Sequence, residues 1–205
     1  MENNLKQKNK AFTLVETLVS ISIFTTSILA LLAILSGGIA NTGYAKKKII
    51  ASYLAQEGIE YMRNMRDTFA LYNAGGAQIG WEAFNTKVSG GIYPSGNSVC
   101  TQGGGNSSSN GCYFDNQNLN YSNNSQPMAG IDVIACGVSC SELKYYNVTG
   151  EYDYSFSGAN SGYTRKIRVM QVNANESKIF STVSWVQGSG THSITLSESL
   201  FNWIE

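Results

Sequence analysis

The sequence predicts an α+β protein: a long N-terminal helix packed on an antiparallel β-sheet, with a disulfide-stapled loop region between them. Three observations carry this. Phe12 to Leu35 holds only apolar residues, Ser and Thr, apart from Glu16. From Tyr44 to about Leu71 apolar residues recur at helical spacing, and the last third of the chain alternates at the period of strands. With 205 residues and one N-terminal span, there is room for one modest soluble domain. Net charge is zero and 14% of residues are charged, which gives no electrostatic footprint for nucleic acid. Abundant Gly, Asn, Ser, Thr and Tyr describe a loop-rich β domain outside the cytosol rather than a cytosolic enzyme.

Residues 1–11 read as a polar leader, with Lys6, Lys8 and Lys10 holding it on the cytoplasmic side. Lys46, Lys47 and Lys48 follow the span and weigh against this orientation, but the leader lysines lie directly against the apolar run. Residues 12–39 form the membrane half of the helix. About 24 apolar residues at ~1.5 Å each reach roughly 36 Å, enough for a bilayer core of about 30 Å. A secretory signal would have a shorter core followed by a clear small-residue cleavage site, and Ser36-Gly37-Gly38-Ile39-Ala40 offers only a weak one. A plain signal anchor explains the length but not Glu16, whose carboxylate is costly in hydrocarbon without a neutralising partner.

Lys10-Ala11-Phe12-Thr13-Leu14-Val15-Glu16 resembles the processing site of type IV pilins and pseudopilins. The resemblance implies cleavage between Ala11 and Phe12, N-methylation of Phe12, and Glu16 as the acid at the fifth mature position. The chain departs from the usual pattern in having Ala11 where Gly is common. The new Phe12 ammonium would be a cation at the membrane edge, and Glu16 four residues on would be its counter-charge, within one subunit or between neighbours.

Residues 40–72 form the amphipathic half of the helix. Ile50, Tyr53, Leu54, Glu57, Tyr61, Met65 and Thr68 step along one side, and Ile49, Ala55, Ile59 and Met62 widen the apolar stripe. Ala51-Ser52-Tyr53-Leu54-Ala55-Gln56-Glu57-Gly58-Ile59-Glu60 and Arg63-Asn64-Met65-Arg66-Asp67 resemble the helix of V-type minor pilins, and I-type minor pseudopilins of type II secretion are similar here.

Residues 73–205 are expected to form the extracytoplasmic domain. Trp81 and Phe84 predict a short turn of helix, and Gly/Ser/Asn-rich loops run to about residue 130. The four cysteines fit an oxidising compartment. They allow three pairings; Cys100 with Cys112 would staple the loop they bracket, leaving a local Cys136–Cys140 bridge. Strands are expected at 145–149, 152–156, 163–172 and 179–186, with a further strand carrying His192, Ile194 and Leu196 on one face. The order Arg165-Lys166-Ile167-Arg168-Val169, Val183-Ser184-Trp185, Thr195-Leu196 and Asn202-Trp203 loosely resembles the sheets of V-type minor pilins.

No catalytic residues, metal ligands or cofactor are expected. His192 has no evident paired acid or nucleophile. Asp115, Asp132 and Asp153 lack a repeating calcium-ligand spacing, and Gly103-Gly104-Gly105 lacks the Lys-Ser/Thr of a phosphate loop. Asn106, Asn124, Asn147 and Asn175 begin sequons. The resemblance implies a non-enzymatic minor pilin: single-pass in the cytoplasmic membrane, then part of a cell-surface filament. Its partners would be other pilin subunits, the prepilin peptidase/methyltransferase, the assembly platform and membrane lipid, with no specific nucleic acid. A pseudopilin of a secretion or DNA-uptake system, and a membrane-anchored binding domain that never assembles, are the alternatives.

Overall fold

The computed structural model describes residues 13–72, 77–89, 100–101, 110–115, 133–154 and 158–202. It is an α+β fold with a long N-terminal helix, a seven-stranded antiparallel sheet and two disulfides. The chain divides into two compact units, residues 1–46 and 47–205.

Helix α1 runs unbroken for 59 residues, Leu14–Tyr72. Thr13 starts it: its Oγ1 accepts from the Glu16 backbone N–H at 3.3 Å, and its carbonyl accepts from the Glu16 and Thr17 amides. This is the Ncap half of a capping box, Thr-x-x-Glu. In the second unit, Ala51, Leu54, Ala55, Ile59, Met62, Met65 and Phe69 form the buried side of α1. Leu54, Tyr61, Met65 and Thr68 of the expected stripe are buried, as are Ala55, Ile59 and Met62 that widen it, whereas Ile49 is exposed and Ile50 and Glu57 are half-buried. Tyr53 is 70% exposed, and Gly58 takes the position of closest approach to the sheet, where an added Cβ would collide with Ser181 and Ile167.

Helix α2, Ala77–Ser89, is a full 13 residues rather than a turn. Trp81, Phe84 and Val88 are buried at helical spacing, together with Asn85. The sheet is β1 (Cys112–Tyr113), β2 (Ile134–Ala135), β3 (Glu142–Tyr145), β4 (Tyr152–Asp153), β5 (Ala159–Asn173), β6 (Glu176–Gln187) and β7 (Gly190–Phe201). Long strands β5, β6 and β7 form a meander, while β1 and β3 share the other edge of β5, flanked by β2 and β4. The strand expected at 145–149 lies earlier: β3 ends at Tyr145, and Asn147–Thr149 turn ahead of Gly150, whose φ is +78°. Strand β1 falls in the stretch read as loop and β2 just beyond it, each being two residues held by neighbours rather than by its own alternation. The β6–β7 turn uses Gly188 at φ +61°, which fits a two-residue turn with glycine first.

Two apolar clusters fill the space between helix and sheet. One joins Ile59, Met62 and Met65 to Trp81, Phe84, Phe114, Ile167 and Ile179. The other joins Ala51, Leu54 and Ala55 to Leu143, Tyr163, Val183 and Trp185. Cys100–Cys112 belongs to the first cluster with both cysteines fully buried. Cys100 also accepts from Val169 N and donates to Val88 O, so the bridge ties the end of α2 to β5 and β1. Cys136–Cys140 closes a local loop braced by Asn110, whose Nδ2 donates to the Val138 carbonyl at 2.9 Å.

Candidate functional site

The candidate site is the first part of α1. Every residue from 13 to 49 is exposed, including Leu14, Val15, Ile21, Phe24, Leu31 and Ile34. The helix is long and apolar enough to cross a membrane, and its backbone amides and carbonyls are satisfied along its own axis. Its hydroxyls are satisfied too. Thr17, Ser20, Ser22, Thr25, Thr26 and Ser27 each donate to a carbonyl three or four residues back. Once those bonds are made, Glu16 is the charged group left in the apolar surface between Thr13 and Lys46.

Glu16 sits in the first turn of α1, where a carboxylate complements the positive end of the helix. Together with the Thr13 cap this gives Glu16 a local role that needs no second subunit. The Thr13-x-x-Glu16 spacing is readable in the sequence as a helix start. Ala11 and Phe12, the residues of the expected cleavage, lie outside the described residues.

Within the second unit, polar connections fix the helices to the sheet and its turns. Arg165 on β5 is fully buried and its Nη1 donates to Glu57 Oε2 at 2.7 Å. The guanidinium carbon lies 3.8 Å from the Phe114 ring centre, and Phe114 in turn stacks on Tyr61 at 3.7 Å. Among the described residues Arg165 Nε and Nη2 have no hydrogen-bond partner. Burial pushes the Tyr154 phenol up to about 12, against the opposing pull of the Arg165 charge. Arg63 donates to Glu198 on β7 at 2.6 Å and to Glu60 at 2.8 Å, and the Glu198 hydrogen bond leads in raising its pKa. Ser177 on β6 donates to buried Asn85 Oδ1 at 2.6 Å, and Trp81 Nε1 donates to the Ala174 carbonyl at 2.7 Å.

The remaining candidates are dispersed. His192 on β7 stacks on Trp185 with ring centres 5.7 Å apart. Asp153 is buried on β4, Asp115 is half-buried after β1, and Asp132 lies outside the described residues. Among the described residues no three His, Cys, Asp or Glu side chains gather as a metal-binding group. Asn147 and Asn175 are exposed in turns, whereas Asn106 and Asn124 lie outside the described residues. Comparison with known protein families, with curated proteins and with solved structures finds no match.

Proposed function

We propose that this chain is a structural subunit of a type IV pilus-like filament, of the minor-pilin kind. It is inserted in the cytoplasmic membrane by its apolar helix, cut between Ala11 and Phe12, methylated on Phe12, and assembled helix against helix. The observation that carries this reading is the exposed apolar half of α1 with Glu16 near its start, continuous with a half that packs on a disulfide-bonded antiparallel sheet. An apolar surface of that length needs lipid or a neighbouring helix around it, and the Lys10-Ala11-Phe12 to Glu16 pattern supports both in succession. The chain acts as a substrate of the peptidase/methyltransferase and works with other subunits and the assembly platform. Pilus and pseudopilus share these features.

The Thr13 cap favours one other reading, in which Glu16 only starts the helix and the protein is a membrane-anchored domain that never assembles. Mass spectrometry of the N-terminus in material sheared from the cell surface separates the two. N-methyl-Phe12 is the expected result. A chain still starting at Met1 and confined to membranes overturns the filament reading.

A further inference from the structure

Strand β7, Gly190–Phe201, is the open side of the β5–β6–β7 meander. Among the described residues it pairs with β6 alone, without a register shift from Gly190 to Phe201. The β6–β7 turn decides which way its backbone groups point. Gln187 and Gly190 flank a two-residue loop and form a hydrogen-bonded pair, so the even-numbered residues of β7 bond to β6 and the odd-numbered ones face away. Asn202 keeps the same parity, donating its amide to the Asn175 carbonyl at 2.9 Å. The outward-facing N–H and C=O groups therefore belong to Thr191, Ser193, Thr195, Ser197 and Ser199, and the first four of these residues are exposed. An edge of this length is ordinarily blunted by Lys, Pro or a bulge. Strand β7 has none of the three, and its one acid, Glu198, is held by Arg63.

The side chains of β7 are complementary to their own reverse order about Thr195. Antiparallel pairing of two copies there sets Ile194 against Leu196 and His192 against Glu198, each twice, on the face that meets α1. On the other face it sets Ser193 against Ser197, Thr191 against Ser199 and Thr195 against itself. Centring the pair on residue 194 or 196 instead puts Glu198 opposite Gly190 or Ile194. We infer that the edge of β7 is an interface for a second copy of this chain, paired antiparallel about Thr195 into one continuous sheet. The five outward-facing residues then exchange about ten backbone hydrogen bonds across the two-fold axis. Ile194 and Leu196, half-buried against the apolar clusters, lose their remaining contact with water. The Glu198 carboxylate, with about four lone-pair sites, accepts from His192 of the other copy while keeping Arg63. Helix α1 runs beside the meander, from Lys47 at the Val186 carbonyl to Arg66 at the Phe201 carbonyl. Those helix segments run in opposite directions in the two copies, so the contact differs in kind from packing between parallel helices and does not depend on the filament reading.

Cysteine cross-linking of the full chain in detergent micelles tests this, because the four native cysteines are all disulfide-bonded and an added one reports alone. Thr195→Cys is expected to oxidise to a covalent dimer, since residue 195 meets itself at a Cα separation of about 5.5 Å. Ser193→Cys or Ser197→Cys alone lies roughly 14 Å from its own copy and should link at least about tenfold more slowly. An equal mixture of those two chains should link as fast as Thr195→Cys. Adding Ser197→Pro to the Thr195→Cys chain removes an outward N–H without touching the β6 pairing, and is expected to abolish the link with little change in melting temperature. Equal linking at all three positions overturns the interface, because random collision or helix packing then brings the chains together. A link that survives Ser197→Pro overturns it as well. No link at any position also overturns it and leaves the edge to water or to a strand of another protein.

Discussion

Glu16 has two candidate duties that different substitutions separate. Gln at the same place keeps a side chain able to serve a capping box but removes the charge, whereas Ala removes both. If Glu16 is a counter-charge for the Phe12 ammonium, Glu16→Gln and Glu16→Ala lose filament incorporation equally, measured as subunit in sheared fibres. Wild-type incorporation of Glu16→Gln leaves only the cap. In the domain, Glu57→Ala strands the buried Arg165 guanidinium and is expected to cost about 2–4 kcal/mol in urea unfolding of the oxidised protein, less than a fully buried pair because Glu57 is partly exposed. Pairing it with Arg165→Met recovers most of that loss. Tyr154 sets an alkaline limit. Its phenol stays neutral to about pH 12 when folded but ionises near pH 10 when unfolded. Its contribution is thus complete below about pH 10 and falls as pH rises from there to about 12. Tyr154→Phe should change stability little at pH 7 and remove roughly 2 kcal/mol of that alkaline loss, followed by circular dichroism across the pH range. Of these residues, only Glu16 stood out in the sequence. Arg165 and Glu57 are 108 positions apart, and no local pattern joins them.

At the scale of elements, legibility tracked how much of each element's structure is written in its own period. Strands β5, β6 and β7 alternate over ten residues or more, and their presence followed from that alternation. Helix α2 has the right spacing at Trp81, Phe84 and Val88, yet it lies between glycine pairs that read as loop. Strands β1 and β2 exist because β5 and Cys112 hold them, so two residues apiece carry no signal. On α1 the expected stripe and the buried side share Leu54, Ala55, Ile59, Tyr61, Met62 and Met65; Ala51 and Gly58, which also face the sheet, were not in it, because small residues carry little hydrophobic signal. The two disulfides should differ in weight. Cys100–Cys112 closes a span of 12 and links α2 to the sheet, so Cys100→Ser/Cys112→Ser is expected to cost about 3 kcal/mol. Cys136–Cys140, with a separation of 4, should cost about 2 kcal/mol by the same chain-entropy reasoning. Thermal melts of the two double variants check the order.

For the molecule as a whole, two parts were plain in composition: one apolar helical stretch, and one loop-rich domain that holds all four cysteines. How the domain closes was not plain, because its decisive contacts join the first element to the last. Arg63 on α1 meets Glu198 on β7 across 135 residues of chain. That separation is also an interval of time. At about 5–20 residues per second of synthesis, roughly 7 to 27 seconds pass between the emergence of the arginine and that of its glutamate. Through that interval the sheet-facing side of α1, with Leu54, Met62, Met65 and Phe69, has no β7 and little β6 to cover it. The helix is therefore the part of the nascent chain that most needs shelter, and the domain is completed only when its C-terminal strand arrives.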